Sequence, residues 1–120
     1  MEYESKLYIV EKSSCYDSEL EKVFAQIICM YNLSNTFPEF KHFINECLPT
    51  DCYIYIDSKR TIKDEYDSPL VELPIKDLLE VLVQETKHED KHYHSQLMPL
   101  IALLKVFKSR KNIAILHYGY

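Results

Sequence analysis

His88, His92 and His94 stand in one short segment with Glu89 and Asp90. If a helix ran through them, His88 and His92 would lie one turn apart on one face, as zinc ligands can. A structural zinc site needs four well-spaced ligands, and a zinc protease needs the HExxH arrangement. Neither that motif nor a nearby thiolate is present, and a polar loop between two helices accounts for the cluster equally well. Asp64, Glu65 and Asp67 resemble part of a calcium loop. Such a loop also needs a glycine at its turn and a later bidentate glutamate. The only glycine in the chain is Gly119, so calcium binding by that route is not expected. The same shortage removes P-loops and dinucleotide fingerprints, whose glycines let the backbone approach a phosphate. No cofactor and no metal is expected, with His88, His92 and His94 kept as the metal-binding alternative.

Nucleophilic chemistry has no clearer signature. His42 or His117 could meet a thiol in space, but no elbow motif surrounds any Cys or Ser. Cys47 and Cys52 flank Leu48-Pro49-Thr50-Asp51, which is not a CxxC spacing. Cys29 lies in an apolar run and reads as core. Cys15, Cys29, Cys47 and Cys52 are all read as structural or incidental thiols. No catalytic residue is assigned, and the chain is expected not to be an enzyme.

Charge is segregated along the chain. Residues 51–90 carry eleven acidic and five basic residues, whereas residues 91–120 carry five basic and none acidic. The bland explanation is a solvated surface with a dipole-compensated helix end. The sharper one is a docking surface. Asp57, Asp64, Glu65, Asp67 and Glu72, with Glu89 and Asp90, would attract a partner with a basic surface and speed its association. Direct nucleic-acid binding is not expected. The net charge of −5 has the wrong sign, and only the Lys105–Lys111 cluster could meet phosphate.

The elements that must position these residues follow from pattern. The length of 120 residues fits one domain. Residues 5–12 read as a strand and 13–18 as a loop. Residues 19–33 fit both a helix capped by Ser18 with Glu21 and a central strand buried on both faces. Thr36 caps a helix to Cys47, with Pro38 in its first turn, Glu39 completing a capping box, and Pro49 as its stop. Residues 51–57 alternate as a strand, and a polar turn with room for a short return strand follows to Asp67. Pro74 opens a helix bearing Ile75, Leu78, Leu79, Leu82 and Val83. Ser95 caps another, with Pro99 in its first turn and a stripe of Leu97, Leu100, Ile101, Leu104 and Phe107. Asn112 ends it. Residues 113–116 read as a last strand, closed by a tail in which His117, Tyr118 and Tyr120 are candidate interface residues. The expected fold is α+β, a mostly antiparallel sheet of three to five strands with about three helices, in the order β-β-α-β-α-α-β. The acidic N-terminus is not a secretory signal, and no apolar run approaches the ~20 residues of a membrane span. A cytoplasmic protein with reduced cysteines and no membrane partner is expected.

Several segments resemble a group of small phage and prophage accessory proteins of Gram-positive bacteria. They are residues 3–12 (YESKLYIVEK), Pro49-Thr50-Asp51-Cys52-Tyr53 with the polar stretch to Tyr66, Pro69-Leu70, residues 99–105 (PLIALLK) with Phe107, and Leu116-His117-Tyr118-Gly119-Tyr120. The resemblance implies a strand at Val23–Leu33, and no catalytic residues. It also implies a setting: the bacterial host cytoplasm, where many small acidic proteins inhibit host machinery by binding it, including nucleic-acid-handling and CRISPR-type defence enzymes. The alternatives are a small metal protein or enzyme using the three histidines, and a structural or oligomeric phage component, a homodimer included.

Overall fold

Strand β1, Glu4–Asp17, is apolar on both sides of its pleat. Leu7 and Ile9 face one way and Tyr8 and Val10 the other, and all four are buried. A strand of this kind needs cover on both faces. The structure, a computed structural model, describes residues 4–34, 37–87 and 94–119.

β1 pairs antiparallel with β2 (Lys22–Ser34) on one side and β6 (Ile113–Gly119) on the other. Beyond β2 lie β3 (Cys52–Ile56) and β4 (Lys59–Thr61), and beyond β6 lies β5 (Val71–Leu73). Among the described residues these six strands form one sheet in the order β4-β3-β2-β1-β6-β5, parallel only between β2 and β3. Helices α1 (Pro38–Glu46), α2 (Ile75–Thr86) and α3 (His94–Phe107) complete a single α+β domain. The class and the three helices are as expected; β4 falls where the pattern left room for a short return strand, and β5 is added, which gives six strands where three to five were expected.

Two cores result. On one face Leu7, Ile9, Leu33, Leu73 and Ile115 pack under the helices, against Phe40, Leu78, Leu82, Leu97, Leu100 and Leu104. On the other face Tyr8, Val10, Ala25, Cys52, Ile54, Leu70 and Leu116 pack together. The ends of the sheet are drawn towards each other over this second core. Lys63 bridges Pro69, Pro49 bridges Val71, and the Leu70 N–H donates to the Ile62 carbonyl at 3.2 Å.

β2 serves both cores by means of a β-bulge. Ile9 pairs with Cys29 but Val10 pairs with Ile27, which leaves Ile28 extra. The extra residue reverses which side chains face which way. Ala25 and Ile27 therefore face the second core, while Cys29, Tyr31 and Leu33 face the helices. Residues 22–34 are thus a strand, as the resemblance implies. The strand is not buried on both faces, however, because Ile28 and Met30 are 42% and 46% exposed.

Other boundaries also differ from the pattern. The expected loop at 13–18 is largely strand, because Tyr16 still pairs with Val23 after an irregularity and Ser13 Oγ donates to the Phe24 carbonyl. Thr36, the expected cap, lies outside the described residues. α1 begins at Pro38 with Phe37 as N-cap and no side-chain cap bond. Ser95 is inside α3 rather than capping it, so Pro99 is also inside the helix, where it has no N–H for the carbonyl four residues back. β6 runs three residues past Leu116, because Ser5, Lys6 and Leu7 offer ladder partners to Gly119, Tyr118 and His117. With one glycine available, other residues take the left-handed backbone. Asp57 and Ser58, with φ of 51° and 64°, make the two-residue β3–β4 turn, and Asn112 at 65° leads into β6.

Leu100 is fully buried between α3 and the sheet, whereas Met98 is 54% exposed. Leu100→Ala is expected to cost about 2–5 kcal/mol in urea unfolding and Met98→Ala less than about 0.5 kcal/mol. Equal costs would mean that α3 does not bury this stripe.

Candidate functional site

The β1–β6 ladder sets Lys6 opposite Tyr118 and Tyr8 opposite Leu116. Alternation then brings Lys6, Tyr8 and Tyr118 to one face of the sheet. The two tyrosine rings meet edge to face, with centroids 6.2 Å apart and planes at 82°. The Lys6 ammonium lies over the Tyr118 ring, 5.7 Å from its centre.

The charges of three carboxylates of the acidic stretch bear on these two tyrosines. Burial pushes the Tyr8 phenol up, and the neighbouring Tyr118 and the charge of Asp57 push it further. Burial likewise raises Tyr118, helped by the charges of Glu65 and Asp64. Asp57 lies in the β3–β4 turn, and Asp64 and Glu65 lie in the loop between β4 and β5. Asp64 also organises that loop, since its carboxylate accepts from the N–H groups of Tyr66 and Ser68 at 2.8 and 3.0 Å. Asp67 pairs with Lys63 at 3.3 Å.

Glu72 belongs to a different cluster. Its carboxylate accepts from Thr50 Oγ1 at 2.9 Å and lies 3.2 Å from the Lys12 ammonium, which also meets Asp51 at 3.0 Å. Burial pulls the Lys12 ammonium down, but the hydrogen bond to Asp51 and the charge of Glu72 outweigh it, so its pKa is raised. The hydrogen bond from Lys12 holds Asp51 below the usual carboxylate range. Asp51, Cys52 and Glu72 place ligand atoms within 4.8 Å of one another, a spacing that could suit a metal ion. Two features oppose that use. The Lys12 ammonium already stands between the carboxylates, and burial pushes the Cys52 thiol up to about 11, far from the thiolate a metal needs. Glu46 and Asp77 share the adjoining cleft with Lys12, Asp51 and Glu72.

His117 lies in the core and not on an exposed tail. Its Nε2 is 2.9 Å from Ser5 Oγ, and its ring meets Phe40 edge to face. Ser5 is fully buried and His117 is 7% exposed, so this Ser–His pair is closed to a substrate. Burial lowers the His117 pKa to about 4, only weakly opposed by Asp64. Tyr118 lines the second core, and Tyr120 lies outside the described residues. So do His88, Glu89, Asp90 and His92, whereas His94 is the first residue of α3. A further aromatic group, Phe24, Tyr53 and Tyr55, has centroids 5.7–6.0 Å apart on β2 and β3.

Pattern reading had no means of finding Lys6, Tyr8, Lys12 and Asp51. Each acquires its role from a partner more than 35 residues away in sequence. The one available signal was the polar Lys12 at the end of an apolar strand. Compared with protein-family models, curated proteins and solved structures, the chain matches none. Among the described residues, no helix is long and apolar enough to cross a membrane.

Two outcomes test this geometry. A histidine with a folded pKa near 4 and an unfolded one near 6.5 binds its proton more readily when unfolded. Its stabilising contribution is therefore complete above pH 6.5 and is lost as the pH falls towards 4, by on the order of 3 kcal/mol. His117→Gln should flatten urea stability over that window, and an unchanged slope would exclude His117 as its source. Lys12→Met should let the Asp51 carboxyl rise towards its ordinary value in an NMR titration. An unmoved Asp51 would show that the ion pair does not hold it down.

Proposed function

We propose that this chain is a non-enzymatic binding protein that docks on a basic surface of another protein through Asp57, Asp64 and Glu65, beside the part-exposed Tyr118. The reading is supported by the charges of Asp57, Asp64 and Glu65, which bear on the neighbouring Tyr8 and Tyr118 phenols. Carboxylates around aromatic rings combine long-range attraction with rigid contact area. Asp67 extends the same loop. Glu72 contributes less, because Lys12 and Thr50 already engage it.

The enclosed Ser5–His117 pair and the raised Cys29, Cys47 and Cys52 thiols favour binding over catalysis. The resemblance to phage and prophage accessory proteins supplies the setting: a bacterial host protein, such as a nucleic-acid-handling or CRISPR-type defence enzyme, that is modulated or inhibited by being bound in the cytoplasm.

Charge reversal tests the surface. Asp64 is left intact because it caps its own loop. The double variant Asp57→Lys with Glu65→Lys should fold normally yet lose most recovery of basic proteins from a Gram-positive bacterial lysate. Recovery equal to that of the unaltered protein would remove this surface from the interaction.

A further inference from the structure

The edge of a sheet presents unpaired N–H and C=O groups, and proteins guard such edges with short strands, charges, proline or cover. Both terminal strands of this sheet are guarded. β4 is three residues long and carries Lys59 and Arg60. β5 is covered, because Pro49 bridges Val71 and the Glu72 N–H donates to the Leu48 carbonyl at 3.0 Å. The outer side of β2 has no such guard. Its pairing with β3 consists of Val23 with Cys52 and Phe24 with Tyr53. Beyond Phe24, among the described residues, no strand lies on that side, although β2 continues to Ser34. From Val23 to Phe37 the sequence holds neither a charged residue nor a proline. The bulge at Ile28 bends the strand, but from Cys29 to Ser34 it pairs with β1 without a further shift.

Ile28, Met30 and Asn32 are exposed along this edge. Met30 and Asn32 stand opposite Tyr8 and Lys6, which places them on the face of the second core. Tyr31 turns to the helices and is engaged by other groups, so Ile28, Met30 and Asn32 carry the edge.

We infer that the outer edge of β2 is a dimer interface, occupied by the same edge of a second copy paired antiparallel about a two-fold axis. Such a pairing is self-complementary, since each strand supplies the main-chain groups that the other lacks. Charge selects this occupant. The chain carries a net charge of −5, so two copies repel each other in general. This edge lets them meet with no like charges placed opposite each other. An axis near Met30, in the middle of the uncharged stretch, sets Met30 beside its own copy and Ile28 beside Asn32 of the second copy. That axis stands normal to the sheet, so the helices of both copies lie on one side and Tyr118 of both on the other. A basic partner finds nothing on this edge to attract it. The interface is therefore separate from the acidic docking surface and does not depend on it.

One paired edge is a small interface, of the class that gives weak, concentration-dependent association. Light scattering from about 10 µM to about 1 mM should show the mass rising from one chain towards two. Ile28→Lys with Met30→Lys puts like charges face to face on side chains that are already exposed. It should weaken dimerisation at least about tenfold. Met98→Lys, on the exposed side of α3, should leave dimerisation unchanged, and so should the Asp57→Lys, Glu65→Lys variant. Amide hydrogen exchange on the unaltered protein reads the edge without any substitution. Amides between Gln26 and Asn32 should slow as the concentration rises, while those of β4 should not. A single-chain mass over the whole range would overturn the inference. So would a dimer that survives the double lysine variant, or exchange in β2 that ignores concentration.

Discussion

The antiparallel ladder between β1 and β6 joins the two ends of the described chain, from Ser5 opposite Gly119 to Glu11 opposite Ile113. It buries Ile9 and Ile115 against the helices and Val10, Ala114 and Leu116 in the second core. It also brings Ser5 Oγ to the His117 ring and the Lys6 ammonium to the Tyr118 ring. Main-chain bonds hold these side chains at fixed spacing, so this arrangement needs no metal, disulfide or loop closure to keep its shape.

The second core then decides where charge goes. One face of the sheet is covered by helices, whereas the other is closed by the chain between β3 and β5. That covering segment carries most of the acidic stretch. The charges of Asp57, Asp64 and Glu65 therefore bear on Tyr8 and Tyr118, while Glu72, further along, is drawn to Lys12. Carboxylates close in sequence are divided between two tasks. One group influences a surface, and the other compensates a half-buried ammonium.

Much of the fold was legible in the sequence because burial there is periodic. The stripes of α2 and α3 and the alternation of β3 each identify an element and its inward face. What was hidden depends on tertiary partners. The Ile28 bulge leaves no local signature, since Ile27, Ile28 and Cys29 are all apolar, so the reversal of faces in β2 shows only in its pairing with Ile9 and Val10. β5 is too short for a period and exists because β6 offers it an edge. His117 and Tyr118 looked like a tail because polar residues follow Leu116, yet the ladder with β1 continues through them. Of the site, the acidic residues could be named from composition, but their division between Tyr118 and Lys12 could not.

A footprint of the protein on a captured basic partner tests the central claim most directly. Hydroxyl-radical labelling with and without the partner reads the tyrosine and methionine side chains. Protection is expected at Tyr118 and at Met30, whose strand position lies opposite Tyr8, with little change at Met98 on α3. Protection confined to Met98, with Tyr118 labelled as fully as in the free protein, would contradict docking through the acidic residues beside Tyr118.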